Sequence, residues 1–134
     1  MTTNVQLNQL VKELGIKNFK GCLMKDELSG ISPQETECFI INLQNHNQGG
    51  SHWCAVWKVK GLIYYFDSYG APIPLEVRDY FNHQKICNFQ SFDKKYPDQP
   101  IQKFNQTWCG QVAVLFLLLC EKGFTFEKII KLLE

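Results

Sequence analysis

The sequence predicts an α+β domain: a central hydrophobic helix carrying a cysteine at its N-terminus, packed against a small mixed or antiparallel β-sheet with helices at its flanks. Three observations predict it. The run Val112 to Cys120 is apolar at every position, which for a helix means burial on every face. The residues from His52 to Val59 and from Leu62 to Phe66 are rich in aromatic and β-branched types and are separated by Lys60-Gly61, a hairpin signal. Short segments with helical spacing and recognisable caps stand near both ends of the chain.

In chain order, Leu7, Leu10, Val11 and Leu14 recur at i, i+3, i+4 and i+7, with Thr3 or Asn4 as N-cap and Gly15 just beyond the end, so an amphipathic helix is expected. Lys17 to Glu37 contains Gly21, Gly30 and Pro33 and has no clear period; loops and at most a turn of helix are expected there. Cys38 to Leu43 reads as a buried strand, followed by a polar loop that leads to His52. If Lys60-Gly61 is a two-residue turn, Val59 faces Leu62, and counting back pairs Cys54 with Asp67. His52 then lies on the same face as Asp67, as its diagonal neighbour.

After a turn-rich stretch from Ser68 to Pro74, Val77, Tyr80 and Phe81 suggest a helix beginning after Pro74. Ile86 to Phe89 reads as a short strand, Phe92 to Pro100 as a polar loop, and Ile101 to Phe104 as extended. Asn105-Gln106-Thr107 then enters the central helix. Thr125 is placed to cap a last helix from Phe126 to Leu133, with Phe124 and Ile129 as a hydrophobic staple.

At 134 residues the chain is expected to form one domain, 1–134, able to bury about two-thirds of its unfolded surface. Fourteen Lys plus Arg against thirteen Asp plus Glu give a net charge of +1, so no nucleic-acid face and no acidic partner is announced. Lys17, Lys20, Lys25 and the pair Lys94-Lys95 are expected on solvated surface. The six cysteines sit largely within apolar segments and follow no signal peptide, and no apolar run reaches the roughly 20 residues that span a bilayer. Reduced thiols, an intracellular setting and no membrane partner are the expectation. Cys38, His46, His52 and Cys54, or His83 and Cys87, are metal-ligating types, but they lack zinc-finger spacing, so no metal site is expected.

Cys109 is the candidate nucleophile. The first turn of a helix offers unpaired N–H groups and about half a positive charge, which favours a thiolate and meets an oxyanion with ready donors. Buried cysteine is more commonly an inert small hydrophobe. Acyl transfer needs a base, a group that orients it, and oxyanion donors. His52 and Asp67 are candidates for the first two, and the Cys109 N–H with a nearby amide side chain for the third.

The segment Gly49-Gly50-Ser51-His52-Trp53, then Tyr65-Phe66-Asp67-Ser68-Tyr69-Gly70, then Gln102 to Gly110 ending in Trp-Cys-Gly, resembles the adenovirus-type maturation proteases. These are cysteine endopeptidases of the same broad clan as the SUMO-specific proteases. The likeness runs from about Gly49 to Cys120: the order His, acid, Gln, Cys-Gly, a hairpin carrying the first two, and an apolar helix after the Cys. It implies a papain-like clan topology, with His52 as general base, Asp67 as its partner, Cys109 as nucleophile and Gln102 as oxyanion-hole amide. Asp67 stands where the adenovirus enzymes carry Glu, although Asp is usual elsewhere in the clan, and Gln106 is a second amide near Cys109.

The resemblance further implies cleavage of viral capsid and core precursor proteins near Gly residues during particle maturation. The substrate groove would be narrow, formed around Gly50, Trp53 and Trp108. The protein would work in the host nucleus or a viral factory and in the virion. No cofactor is required; an activating peptide, which in those enzymes attaches through a disulfide in the region of Cys87, and DNA are the activators it raises. Two other readings stand beside it: a deconjugating protease for ubiquitin-like proteins, and a non-catalytic capsid- or scaffold-binding module.

Overall fold

The computed structural model describes residues 3–44, 52–89 and 108–134. Helix α1 spans Asn4–Leu14 and opens with a capping box: Thr3 Oγ1 accepts from the Gln6 N–H at 3.2 Å while the Gln6 side chain accepts from the Thr3 N–H at 2.9 Å. Gly15, at φ 69°, ends it in the left-handed conformation that a side chain would strain. Leu7 and Val11 are buried, whereas Leu14, expected on the same face, is exposed at the last turn.

The stretch expected to be loop contains an edge strand, β1 (Phe19–Met24). Its register against the next strand shifts between Phe19 and Cys22, around Gly21 at φ 124°. A bulge of this kind interrupts the two-residue alternation by which strands are recognised, which is why the segment has no readable period. A 3-10 segment, Lys25–Gly30, begins the crossover to β2 (Thr36–Asn42), which runs parallel to β1. Lys20, expected on the surface, turns inward from β1: its Nζ lies 2.8 Å from Glu37 Oε1 and 2.5 Å from the Tyr80 hydroxyl. Glu37 is buried, and these partners neutralise and satisfy it.

Strands β3 (Trp53–Val59) and β4 (Leu62–Phe66) form the expected antiparallel hairpin, with Lys60 at φ 54° in the turn and Val59 opposite Leu62. The four strands are ordered β1-β2-β3-β4, a mixed sheet. Residues 86–89 form no strand; Cys87 makes a single parallel bridge to Tyr64 and closes part of the β4 edge. Helix α2 (Leu75–Tyr80) follows Pro74 as expected.

Helix α3 (Cys109–Glu121) packs on β3 and β2 and is flanked by α1 and by α4 (Phe126–Leu133), which Thr125 caps through the Lys128 N–H. Alternation along β3 divides the interior in two. Trp53 and Ala55 join α1, α3 and α4 in one core, in which Phe116 stacks on Phe66 with ring centroids 4.6 Å apart. Cys54 and Val56 join Phe39, Tyr65 and α2 in the other. The expectation that the central helix is buried all round is corrected: its buried face is Cys109, Gly110, Ala113, Val114, Phe116, Leu117 and Cys120, while Leu115 is exposed. A helix laid on one face of a sheet is covered on that side and by its neighbours, so part of its circumference is left outward. No helix among the described residues is long and apolar enough to cross a membrane. The cysteines are free thiols.

Candidate active site

The hairpin register decides where the chemistry-bearing residues meet. The ladder runs from Val59 opposite Leu62 to Ala55 opposite Phe66, and the same count carried one step further sets Cys54 opposite Asp67. His52 and Asp67 therefore leave the same end of adjacent strands. His52 Nε2 lies 2.7 Å from Asp67 Oδ1, as the diagonal arrangement predicts.

Asp67 is 1% exposed. Its Oδ1 also accepts the Tyr69 N–H at 2.8 Å, and its carbonyl accepts the Gly70 N–H at 2.8 Å, so the turn after β4 grips the carboxylate from its own backbone. The Tyr69 ring lies over His52, with centroids 4.9 Å apart. His52 keeps an edge to solvent, its side chain 16% exposed.

Two thiols flank the imidazole. Cys109, the first residue of α3, is buried, and its Sγ accepts the Trp53 N–H at 3.3 Å. That contact ties the start of the central helix to the strand that carries His52. Cys54 comes from the other face of β3, entirely buried, and its Sγ lies within 4.8 Å of ligand atoms of His52 and Asp67. Burial by itself lowers the proton affinity of His52, but the Asp67 hydrogen bond and then the Cys109 and Cys54 thiols raise its pKa to about 12. A protonated imidazole between a carboxylate and thiols is the consequence. Because Nε2 is engaged by Asp67, Nδ1 is the ring nitrogen left to face a thiol; it is buried with no hydrogen-bond partner among the described residues.

The thiols differ in what surrounds them. Burial pushes Cys54 up to about 11, and the neighbouring Asp67 charge adds to this against the opposing pull of His52. Cys54 is thereby held as a neutral thiol. Cys109 is the first residue of α3, at the end of a helix that carries about half a positive charge. A Cβ at Gly110 would meet Leu7 Cδ2 of α1 at 2.8 Å, so a side chain there would require the buried Leu7 side chain to shift.

Of the other residues singled out from the sequence, Trp53 is buried in the core, and its backbone is what touches the candidate nucleophile. Trp108 is 58% exposed immediately before Cys109, available to an incoming chain. Gly50, Gln102 and Gln106 lie outside the described residues, as do His46 and Lys94-Lys95. Sequence reasoning overlooked Tyr69 as the ring over His52. Cys54 was legible: the hairpin count sets it opposite Asp67, and residues i and i+2 of a strand share a face, so His52 and Cys54 belong together. Neither a protein-family model nor a curated protein matches this chain.

Proposed function

We propose that the chain is a cysteine endopeptidase of papain-like topology in which Cys109, His52 and Asp67 act together. One observation carries the reading: a helix-start thiol held against the strand that presents an imidazole, whose other side is bound by a buried carboxylate at 2.7 Å. The thiolate attacks a peptide carbonyl, the His52 imidazolium gives its proton to the leaving amine, and water then hydrolyses the thioester with His52 as base. Asp67 holds the ring and stabilises its charged form. The Cys109 N–H and, by the resemblance, the Gln102 amide receive the oxyanion.

The likeness in residue order to the adenovirus-type proteases supports viral capsid and core precursors as substrates, cut near Gly. Trp108 then forms an aromatic wall of the groove, and the site of action is the infected cell and the virion. A deconjugating protease would instead release ubiquitin-like proteins from conjugates.

A peptide library with product mapping by mass spectrometry, run on wild type and Cys109→Ala, tests the proposal. Cleavage is expected with Gly at the cut bond, to be lost in Cys109→Ala and lowered about 100-fold to 1,000-fold in Gln102→Ala with stability retained. Cutting that persists in Cys109→Ala overturns the nucleophile; equal cutting after Gly and Leu overturns the narrow groove. Release of ubiquitin or SUMO from conjugates would replace the maturation reading. A folded protein that cuts nothing, and whose Cys109 is no more reactive than its other thiols, is a binding module.

A further inference from the structure

The thiol that peptide cleavage does not use, Cys54, stands with two of the residues that it does. His52, Cys54 and Asp67 offer one nitrogen, one sulfur and one carboxylate ligand atom, all within 4.8 Å of one another. We propose that these three residues form a binding site for a divalent cation of the zinc class, and that filling the site competes with the arrangement that serves Cys109.

Four observations carry this. The donor set is of the type zinc prefers: imidazole, thiolate and carboxylate, three of the four ligands of a tetrahedral ion. Ligands about 2.0 to 2.3 Å from a tetrahedral ion lie roughly 3.5 Å from one another, so side-chain shifts of about an ångström bring the cluster to that spacing. Two buried polar atoms of the set have no hydrogen-bond partner among the described residues: Asp67 Oδ2, on a residue 1% exposed, and His52 Nδ1. Burial without a partner is costly for such atoms, and a cation would satisfy them. Finally, the charges close. When Cys54 and protonated His52 each release a proton, one thiolate and one carboxylate neutralise a divalent ion, so the filled site buries no net charge. The partly exposed edge of His52 is the way in.

The cost to the rest of the site follows from one distance. At 2.7 Å, His52 Nε2 and Asp67 Oδ1 are closer than two ligands of a tetrahedral ion and stay hydrogen-bonded to each other, so the ion takes the unpartnered Nδ1, the ring nitrogen left to face Cys109. His52 would then be held by the metal and unable to exchange a proton with Cys109. This inhibitory consequence rests on the peptidase reading; the binding itself does not.

The test uses the full chain carrying Cys109→Ala, which removes the competing thiol, and Co2+ as a spectroscopic probe. About one equivalent is expected to bind with a near-ultraviolet thiolate-to-cobalt band and the strong visible absorption of a tetrahedral site. Cys54→Ser should abolish the thiolate band and weaken binding at least about tenfold. The absence of the band in Cys109→Ala, or its persistence unchanged in folded Cys54→Ser, would overturn the site. Should Cys54→Ser fail to fold, the 113Cd resonance of the cadmium-loaded Cys109→Ala protein decides instead, since one thiolate ligand moves it far from the position for oxygen and nitrogen alone. Wild-type cleavage that Zn2+ does not slow at saturating concentration would overturn the competition. A protein that binds Co2+ through Cys54 yet cuts nothing would retain the site and overturn the peptidase reading.

Discussion

His52 lies between a thiol held neutral by burial and another at a helix start, and this difference makes the two chemically unequal. Cys22 and Cys38 are pushed up to about 12 and Cys54 to about 11, in each case first by burial, and Cys120 is raised by burial too. Each unit removes a tenfold share of thiolate at neutral pH, and the thiolate is the reacting form. Cys109, at a helix start and beside the His52 imidazolium, is expected to be alkylated fastest among these five at pH 7, and His52→Ala should slow it by removing the neighbouring cation. Mass-spectrometric mapping of iodoacetamide labelling against time measures both. Labelling of Cys54 as fast as Cys109 would remove the distinction on which the nucleophile assignment stands.

Among the elements, the contact between α1 and α3 bears most directly on the site, because Gly110 lets Leu7 reach the helix start beside Cys109. Gly110→Ala is expected to cost about 1 to 3 kcal/mol through overpacking, since Leu7 is fully buried and has little room to turn away. Leu7→Ala alone should cost about 2 to 5 kcal/mol by leaving a cavity. The double variant should be more stable than the sum of the two losses implies, because the smaller side chain makes room for the new methyl group. Urea denaturation of the four proteins gives the coupling. Strict additivity would mean that the close approach does not govern the helix start.

For the molecule as a whole, the buried thiols make stability depend on alkaline pH. In the folded chain Cys22, Cys38, Cys54 and Cys120 keep their protons above their ordinary pKa of 9.0, whereas the unfolded chain has lost them. Their contribution is complete below about 9.0 and is lost as pH rises toward the folded values of about 11 and 12. His52, raised from 6.5 to about 12, works with the same sign: its contribution is whole below 6.5 and declines as pH climbs through the folded value. The melting temperature under reducing conditions should therefore fall between about pH 9 and pH 11, and replacing Cys38 with Ala should make that fall shallower even though the variant starts lower. Calorimetry across this range checks it; a flat profile would mean that the thiols titrate alike in both states.

Local pattern determined much of this protein without reference to its fold. The spacing of Leu7, Leu10 and Val11 and the Thr3 box define α1, Thr125 defines the start of α4, and the two-residue turn at Lys60-Gly61 carries His52 to Asp67 by counting alone. Each depends on neighbours a few residues away, or on a register that one short turn transmits. Other features were decided only in three dimensions. β1 exists because β2 pairs with it, despite a bulge that erases its alternation. Leu115 is exposed because the sheet covers one side of α3, which the composition of that helix cannot indicate. The Trp53 N–H meets the Cys109 sulfur across more than fifty residues of chain. Contacts between segments so far apart are set by packing of whole faces, to which no local period in either segment corresponds.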